Sequence, residues 1–382
     1  MLKKIFIYIM FLLNLSVTTV VTKVDSEAIL TSVSKGAILI EPSTMTVLYE
    51  YQPYEKLIPA SLTKVMTMLL VCEAIENNII NLDDELVTSE YAASMGGTNI
   101  YLEENEKMSV RDLLKSVAIA SANDASIVLA EGISGTVDNF VKKMNEKGKE
   151  LGLTNTVFKN PNGLPEDGHY TCSMDMAIVS CYLVNNYPFI LEYTSKYEDY
   201  VREDTTKKFW LVNRNKLVKF VEGVDGLKTG WTQEAGYCLI ATQNKNGLRL
   251  VSVVMGASTP EARLKESMQM LNYGMSNYEK VVIYKKGDTI ASYVDINITP
   301  KTFNVYVKEE VSIIKRKNEE LKDVKIEKQI DYTNLKDIGK MKVYYDGNEY
   351  KVVKLGIIEE IKKASFFEVL YEVIKEVFLV SD

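Results

Sequence analysis

The chain has 382 residues, 46% of them apolar and 25% charged, enough for two folded domains with sizeable cores plus terminal segments. Its formal charge of −7 argues against a nucleic-acid partner, because nothing supplies a phosphate-neutralising surface. His169 is the only histidine, so a triad or zinc site built from several imidazoles is excluded, and a nucleophile here needs another base.

Residues 1–4 read Met-Leu-Lys-Lys and precede the apolar run from Ile5 to Leu13, a charged segment followed by an apolar one too short for an ordinary spanning helix. Residues 1–27 are therefore expected to be an export signal, with candidate cleavage positions between Ser16 and Ala28; an uncleaved anchor or a buried strand is the alternative. Gly36–Leu39 with Ile40, and Thr46–Tyr51, predict two strands joined around Pro42-Ser-Thr. A long apolar helix is predicted from about Pro59 to Ile75, and Ser109-Val-Arg-Asp112 has the form of a capping box opening a helix through Ala118. Another helix is expected from Asp138 to Leu151, then a Gly/Pro/Asn-rich loop from Asn160 to Gly168.

The four cysteines, Cys72, Cys172, Cys181 and Cys238, lack C-x-x-C spacing and read as buried free thiols. If Cys172 and Cys181 share one helix, steps of about 100° per residue place them on opposite faces. Gly236–Thr242 and Leu248–Val254 flank Asn246-Gly247, a strong hairpin signal. Strands, a helical middle and returning strands predict an antiparallel sheet flanked by a helical cluster. After about Tyr273 short alternating runs such as Val281–Tyr284 and Phe303–Val307 predict a small all-β domain to about Leu355. From Phe366 onward, Phe366/Phe367, Leu370, Val373/Ile374 and Val377/Phe378 recur at helical spacing, with Glu368, Glu372, Lys375 and Glu376 mostly between them. This amphipathic helix has two readings, an interfacial membrane anchor or an element docked on the second domain; its acidic residues weaken the first.

Three motifs carry the chemistry. Ser61-Leu-Thr-Lys64 sets a hydroxyl and an amine on one helical face, with Pro59 suited to the first helical position. The following helix is apolar nearly all round, so Lys64 should be buried, and desolvation would leave a neutral amine able to take the proton of Ser61. Ser32-Val-Ser-Lys35 and Ser312-Ile-Ile-Lys315 match the same spacing, and about two matches arise by chance; neither decoy opens an apolar helix. Ser121-Ala-Asn123 sits between two predicted helices, where a hydroxyl and an amide can relay a proton and hold a carbonyl, or merely cap a helix. Lys228-Thr-Gly230, the only such triplet, reads as a strand edge where Gly230 admits a substrate backbone and Lys228 with Thr229 can bind a carboxylate; a solubilising edge lysine is the plainer reading.

Taken together and in order, the three motifs resemble those of the penicillin-recognising serine transferases. The closer resemblance is to the low-molecular-mass D-alanyl-D-alanine carboxypeptidases, peptidase family S11. Pro59–Thr67, Ser121–Ala125, Asn155–Leu164, Gly168-His-Tyr-Thr and Val224–Gly230 are similar to that family's segments, over about residues 28–275. The resemblance implies an α+β fold: a β-lactamase/transpeptidase-like catalytic domain (28–275), a small β-rich domain (276–355) and an amphipathic C-terminal helix (356–382) that anchors an exported protein to the outer face of the cytoplasmic membrane.

It further implies removal of the terminal D-alanine from peptidoglycan stem peptides through an acyl-enzyme on Ser61, with Lys64 as general base and no cofactor or metal. The backbone N–H groups of Ser61 and Trp231 would form the oxyanion hole, and Ser121 with Lys228 would return the proton. Asn123 would orient the substrate amide, and Lys228, Thr229 and Arg214, with Arg263 a further candidate, would hold the terminal carboxylate. β-Lactams would acylate Ser61 as mimics of the substrate. Trp231 departs from the His or Phe usual in relatives after the triplet, which bears on substrate preference. His169 is read as structural. A class A β-lactamase would need a Glu-x-x-Leu-Asn loop, which is absent. An endopeptidase would use the same residues, and a non-catalytic wall-binding protein would not need a desolvated lysine beside a serine.

Overall fold

A computed structural model of the protein describes residues 30–331 and 338–378. Residues 1–27, read as the export signal, lie outside the described residues. Five strands, β1 (Gly36–Glu41), β2 (Thr46–Tyr51), β3 (Val224–Thr232), β4 (Gly236–Lys245) and β5 (Leu248–Ala257), form an antiparallel sheet in the order β2-β1-β5-β4-β3. Its central strands are buried on both faces. Ile38, Ile40, Val251 and Val253 enter the larger core, shared with the helical cluster. Ala37, Leu39, Leu250 and Val254 enter a second core against Met270 and Leu271. Asn246 (φ 54°) and Gly247 (φ 80°) make the tight turn of the β4–β5 hairpin, where two successive left-handed residues match the strand twist.

The helical cluster comprises α1 (Lys64–Glu76), α2 (Val110–Ile119), α3 (Asn123–Ser134), α4 (Val137–Glu150) and α5 (Ser173–Asn186). Ser109 caps α2 by accepting from the backbone N–H of Asp112. The apolar helix predicted from Pro59 is divided: Ala60–Thr63 is a 3-10 turn, and the α-helix starts at Lys64. Ala60 adopts a left-handed φ of 47°, which a continuous α-helix does not admit. All four cysteines are buried and unpaired. Cys172 precedes α5 as its N-cap, its sulfur accepting from the Asp175 N–H at 3.4 Å, so the two cysteines do not both lie within one helix.

A further helix, α6 (Pro260–Asn277), covers the second face of the sheet. It carries the chain past residue 275, and strand β6 (Tyr278–Tyr284) follows directly. The β-rich part contains β7 (Thr289–Val294), β8 (Thr302–Val307), β9 (Val311–Arg316), β10 (Val324–Ile330), β11 (Gly339–Tyr345) and β12 (Asn348–Ile357), with one sheet ordered β7-β8-β12-β11-β10 and β6 paired with β9. Phe303, Val305, Val307, Met341, Val343 and Val353 are fully buried, the alternation of half-buried strands. The sequence limit at 355 falls inside β12. A last helix, α7 (Phe366–Phe378), ends the described chain. No helix among the described residues is long and apolar enough to cross a membrane.

Candidate active site

A cleft of about 560 Å³ opens between the sheet edge β3 and the helical cluster. Its walls include Ser61, Ser121, Asn123, Arg214, Thr229, Gly230, Trp231 and Arg263, so eight of the ten sequence-derived residues border one cavity. Lys64 and Lys228 are buried at its base.

Lys64 is wholly inaccessible, because α1 is packed on every side. Its Nζ donates to Asn123 Oδ1 at 2.7 Å and to the carbonyl oxygen of Asn162 at 2.5 Å, and lies 3.1 Å from Ser61 Oγ. Among the described residues no carboxylate touches it. Burial first, and then the charge of Lys228, hold its pKa well below the ordinary lysine value, with Asp124 opposing. A neutral amine has two N–H bonds and one lone pair. Two fixed acceptors, a side-chain amide oxygen and a peptide oxygen, use the N–H bonds, and the lone pair is left for the Ser61 hydroxyl.

Asn162 gave no distinct signal as a lysine partner, although Asn160-Pro-Asn-Gly163 stands out as a turn sequence. The loop is fastened to α1 by Thr67 Oγ1 donating to Pro161 O at 2.6 Å, and braced internally by the Gly163 N–H donating to Asn160 Oδ1 at 2.7 Å. A Cβ on Gly163 (φ 82°) would lie 1.9 Å from Ala60 O, so only glycine lets this loop press against the nucleophile turn.

Ser121, with a left-handed φ of 67°, links α2 to α3 and is nearly buried. Asn123, the first residue of α3, accepts from Lys64 and donates from Nδ2 to Gly96 O at 2.7 Å, which leaves one amide hydrogen for a ligand. The Asp124 carboxylate accepts from the N–H groups of Ile100 and Leu102, each at 3.1 Å from Oδ2. This clamps the segment that brings Gly97 and Thr98 into the cleft wall, two residues that motif reasoning did not find.

On the other wall, β3 is an edge strand. A Cβ at Gly230 would meet Pro59 O and Ser61 N at 3.2 Å, so β3 and the nucleophile turn are in close backbone approach. Lys228 Nζ donates to Thr229 O at 3.0 Å, and burial, then Arg214 and Arg263, lower its pKa to about 7. Arg214 is exposed, its Nη2 3.4 Å from Thr98 Oγ1. Arg263 is instead largely buried, with Nη1 donating to Gly230 O and Cys238 O, each at 3.3 Å. Trp231 is 55% exposed, its ring against Tyr237 at the cleft lip. His169 is buried beneath the site, its Nε2 3.1 Å from Thr63 Oγ1, with its pKa lowered by burial to about 4. No group of acidic, histidine or cysteine side chains fit to hold a metal occurs among the described residues.

The antiparallel sheet, the helical cluster and the serine–lysine cleft between them define the transpeptidase/β-lactamase class of fold. The family model described as D-alanyl-D-alanine carboxypeptidase, peptidase S11, matches residues 21–259. The chain is 46% identical over 343 residues to the D-alanyl-D-alanine carboxypeptidase DacF of Bacillus subtilis, covering 88% of each chain. It is 32% identical over 353 residues to DacA of Haemophilus influenzae, covering 88% of this chain and 87% of that one. Penicillin-binding protein 5 of Haemophilus influenzae superposes with a TM-score of 0.70 at 29% identity, covering 87% of this chain and 98% of that one. Ampicillin-bound penicillin-binding protein D2 of Listeria monocytogenes superposes with a TM-score of 0.57 at 34% identity, covering 63% and 97%. The chain belongs to the D-alanyl-D-alanine carboxypeptidase family S11.

Proposed function

We propose that this D-alanyl-D-alanine carboxypeptidase removes the terminal D-alanine of peptidoglycan stem peptides through an acyl-enzyme on Ser61, with Lys64 as general base. The observation that carries the reading is the environment of Lys64: full burial, no carboxylate partner among the described residues, two fixed acceptors and Ser61 Oγ at 3.1 Å. Neutral Lys64 takes the hydroxyl proton as Ser61 Oγ bonds to the carbonyl carbon of the penultimate D-alanine. The N–H groups of Ser61 and Trp231 receive the oxyanion.

As the C–N bond breaks, the proton passes by way of Ser121 and Lys228 to the departing amine. Water then adds to the ester, and Ser61 regains its hydroxyl proton. Lys228, Thr229 and Arg214 hold the terminal carboxylate on a cleft wall with no acidic residue, and the free amide hydrogen of Asn123 orients the substrate amide. β-Lactams acylate the same serine. Lys64→Arg tests the base: a guanidinium does not deprotonate at ordinary pH, so D-alanine release from a diacetyl-Lys-D-Ala-D-Ala peptide should fall by at least about 10²-fold in kcat. Retention of most of the rate would remove Lys64 from that role.

The protein acts outside the cytoplasmic membrane, exported by residues 1–27 and held by α7. What supports the anchor is its orientation. Phe366, Phe367, Tyr371 and Val377 are each more than 60% exposed, whereas Glu372 and Glu376 turn to Lys301 Nζ at 3.0 and 2.7 Å. Two acidic side chains thus pair with Lys301, and exposed apolar side chains remain free for an interface. The full chain should sediment with lipid vesicles and Phe366→Glu/Phe367→Glu should not; equal sedimentation would refute the anchor.

A further inference from the structure

We propose that Arg263 is the positioning residue of the oxyanion hole, holding and polarising the Gly230–Trp231 peptide, rather than a ligand of the substrate carboxylate. The inference rests on the reading that the Trp231 N–H receives the oxyanion.

Arg263 stands in the first turn of α6, just after the Thr259 cap, and reaches the end of the sheet where β3 pairs with β4. Its Nη1 is committed to two protein carbonyls, Gly230 O and Cys238 O, which belong to directly paired residues. Its Nε is buried and has no hydrogen-bond partner among the described residues. The guanidinium carbon lies 5.6 Å from the centre of the Tyr237 ring, so the group is held between an aromatic face and two peptide oxygens. Among the described residues no carboxylate pairs with it. A buried cation whose contacts are carbonyl dipoles acts on those dipoles.

The peptide it touches is the one that matters for attack. Gly230–Trp231 is a trans peptide, so its C=O and its N–H point in opposite directions. On an edge strand, a carbonyl turned toward the neighbouring β4 leaves the following N–H turned to the open edge, where the cleft lies. Positive charge at Gly230 O draws electron density through the conjugated amide and makes the Trp231 N–H a stronger donor. It also fixes that N–H in place before negative charge develops, which is the condition for oxyanion stabilisation to lower a barrier. Arg214 is exposed in the cleft wall, with Thr98 Oγ1 at 3.4 Å as its hydrogen-bond partner among the described residues, and remains available to a carboxylate.

The two roles separate experimentally. Arg263→Met should lower kcat for D-alanine release about 10- to 100-fold with KM within about twofold, as loss of transition-state stabilisation does. It should keep the preference for a free C-terminal carboxylate over the C-terminal amide. Arg214→Met should raise KM and erase that preference. The direct readout is the infrared band of a carbonyl-labelled penicilloyl ester on the protein. In the wild type it should lie below its position in the denatured adduct; Arg263→Met should move it back toward that position, and Arg263→Lys, which keeps the charge, should fall between. If the wild-type band shows no shift from the denatured adduct, the oxyanion-hole reading itself fails. If the wild-type band is shifted and both Arg263 variants match it, or if Arg263→Met raises KM and erases the carboxylate preference, the assignment of Arg263 is overturned.

Discussion

Gly230→Ala isolates the approach of β3 to the nucleophile turn. The added Cβ would fall 3.2 Å from Pro59 O and Ser61 N and 3.3 Å from Ala60 Cβ. Comfortable contacts for a carbon begin at about 3.5 Å, and backbone atoms held by the 3-10 turn and by Gly163 cannot rotate aside as a side chain would. Strand and turn must therefore part by roughly 0.3 Å. The proposed oxyanion donors, the N–H groups of Ser61 and Trp231, lie on the two sides of that contact. Misplacement by about 1 Å costs on the order of 10²-fold, so roughly 0.3 Å should lower kcat and the penicillin acylation rate by about 4-fold. Stability should fall by about 1 kcal/mol, at the low end of overpacking. Steady-state D-alanine release, acylation followed by mass spectrometry and urea unfolding measure the three quantities. A folded variant with both rates within twofold of wild type would refute the argument that this contact sets the attack geometry.

Lys228→Met should stabilise the protein near neutral pH. Burial lowers the folded pKa from 10.5 to about 7, so below about pH 7 the charged form carries the full desolvation cost. Between about pH 7 and 10.5 the unfolded chain binds more protons than the folded one, and wild-type stability rises with pH. The variant's advantage, at most about 5 kcal/mol, should shrink across that window in urea melts at pH 6 and 9.5; a pH-independent gap would contradict it. Asp124→Ala removes the acceptor for Ile100 and Leu102 and loosens the segment carrying Gly97 and Thr98. We expect KM to rise several-fold, kcat to stay within about threefold, and stability to fall by about 1–3 kcal/mol; an unchanged KM would show that the clamp does not shape the cleft.

Much of this site was legible because its chemistry lies in short local patterns. Ser61 and Lys64 are three residues apart, and the apolar run after them demanded burial whatever the rest of the chain did. Asn246-Gly247 carried its own backbone requirement. What escaped were long-range consequences. Asn162 meets Lys64 through a backbone carbonyl, and a backbone acceptor leaves no trace in residue type. Gly97 and Thr98 enter the cleft because Asp124, more than twenty residues later, holds their loop. Arg263 entered only as a further candidate for the carboxylate beside Arg214; the contact of its Nη1 with Gly230 O depends on the packing of α6 across the sheet, which no local pattern contains. The helix itself had a start signal, Thr259-Pro260, with the threonine side chain accepting from Ala262 N–H, but its mixed polarity hid the period. The 3-10 turn at Ala60–Thr63 arises from close contact with Gly163 and Gly230, which a propensity scan of residues 59–75 does not contain.

The most direct test of the central claim is intact-protein mass spectrometry of the wild type and Ser61→Ala after incubation with penicillin. One penicilloyl adduct on the folded wild type and none on the folded variant is the predicted result. An adduct that persists in Ser61→Ala, or a folded wild type that forms none, would contradict the acyl-enzyme at Ser61.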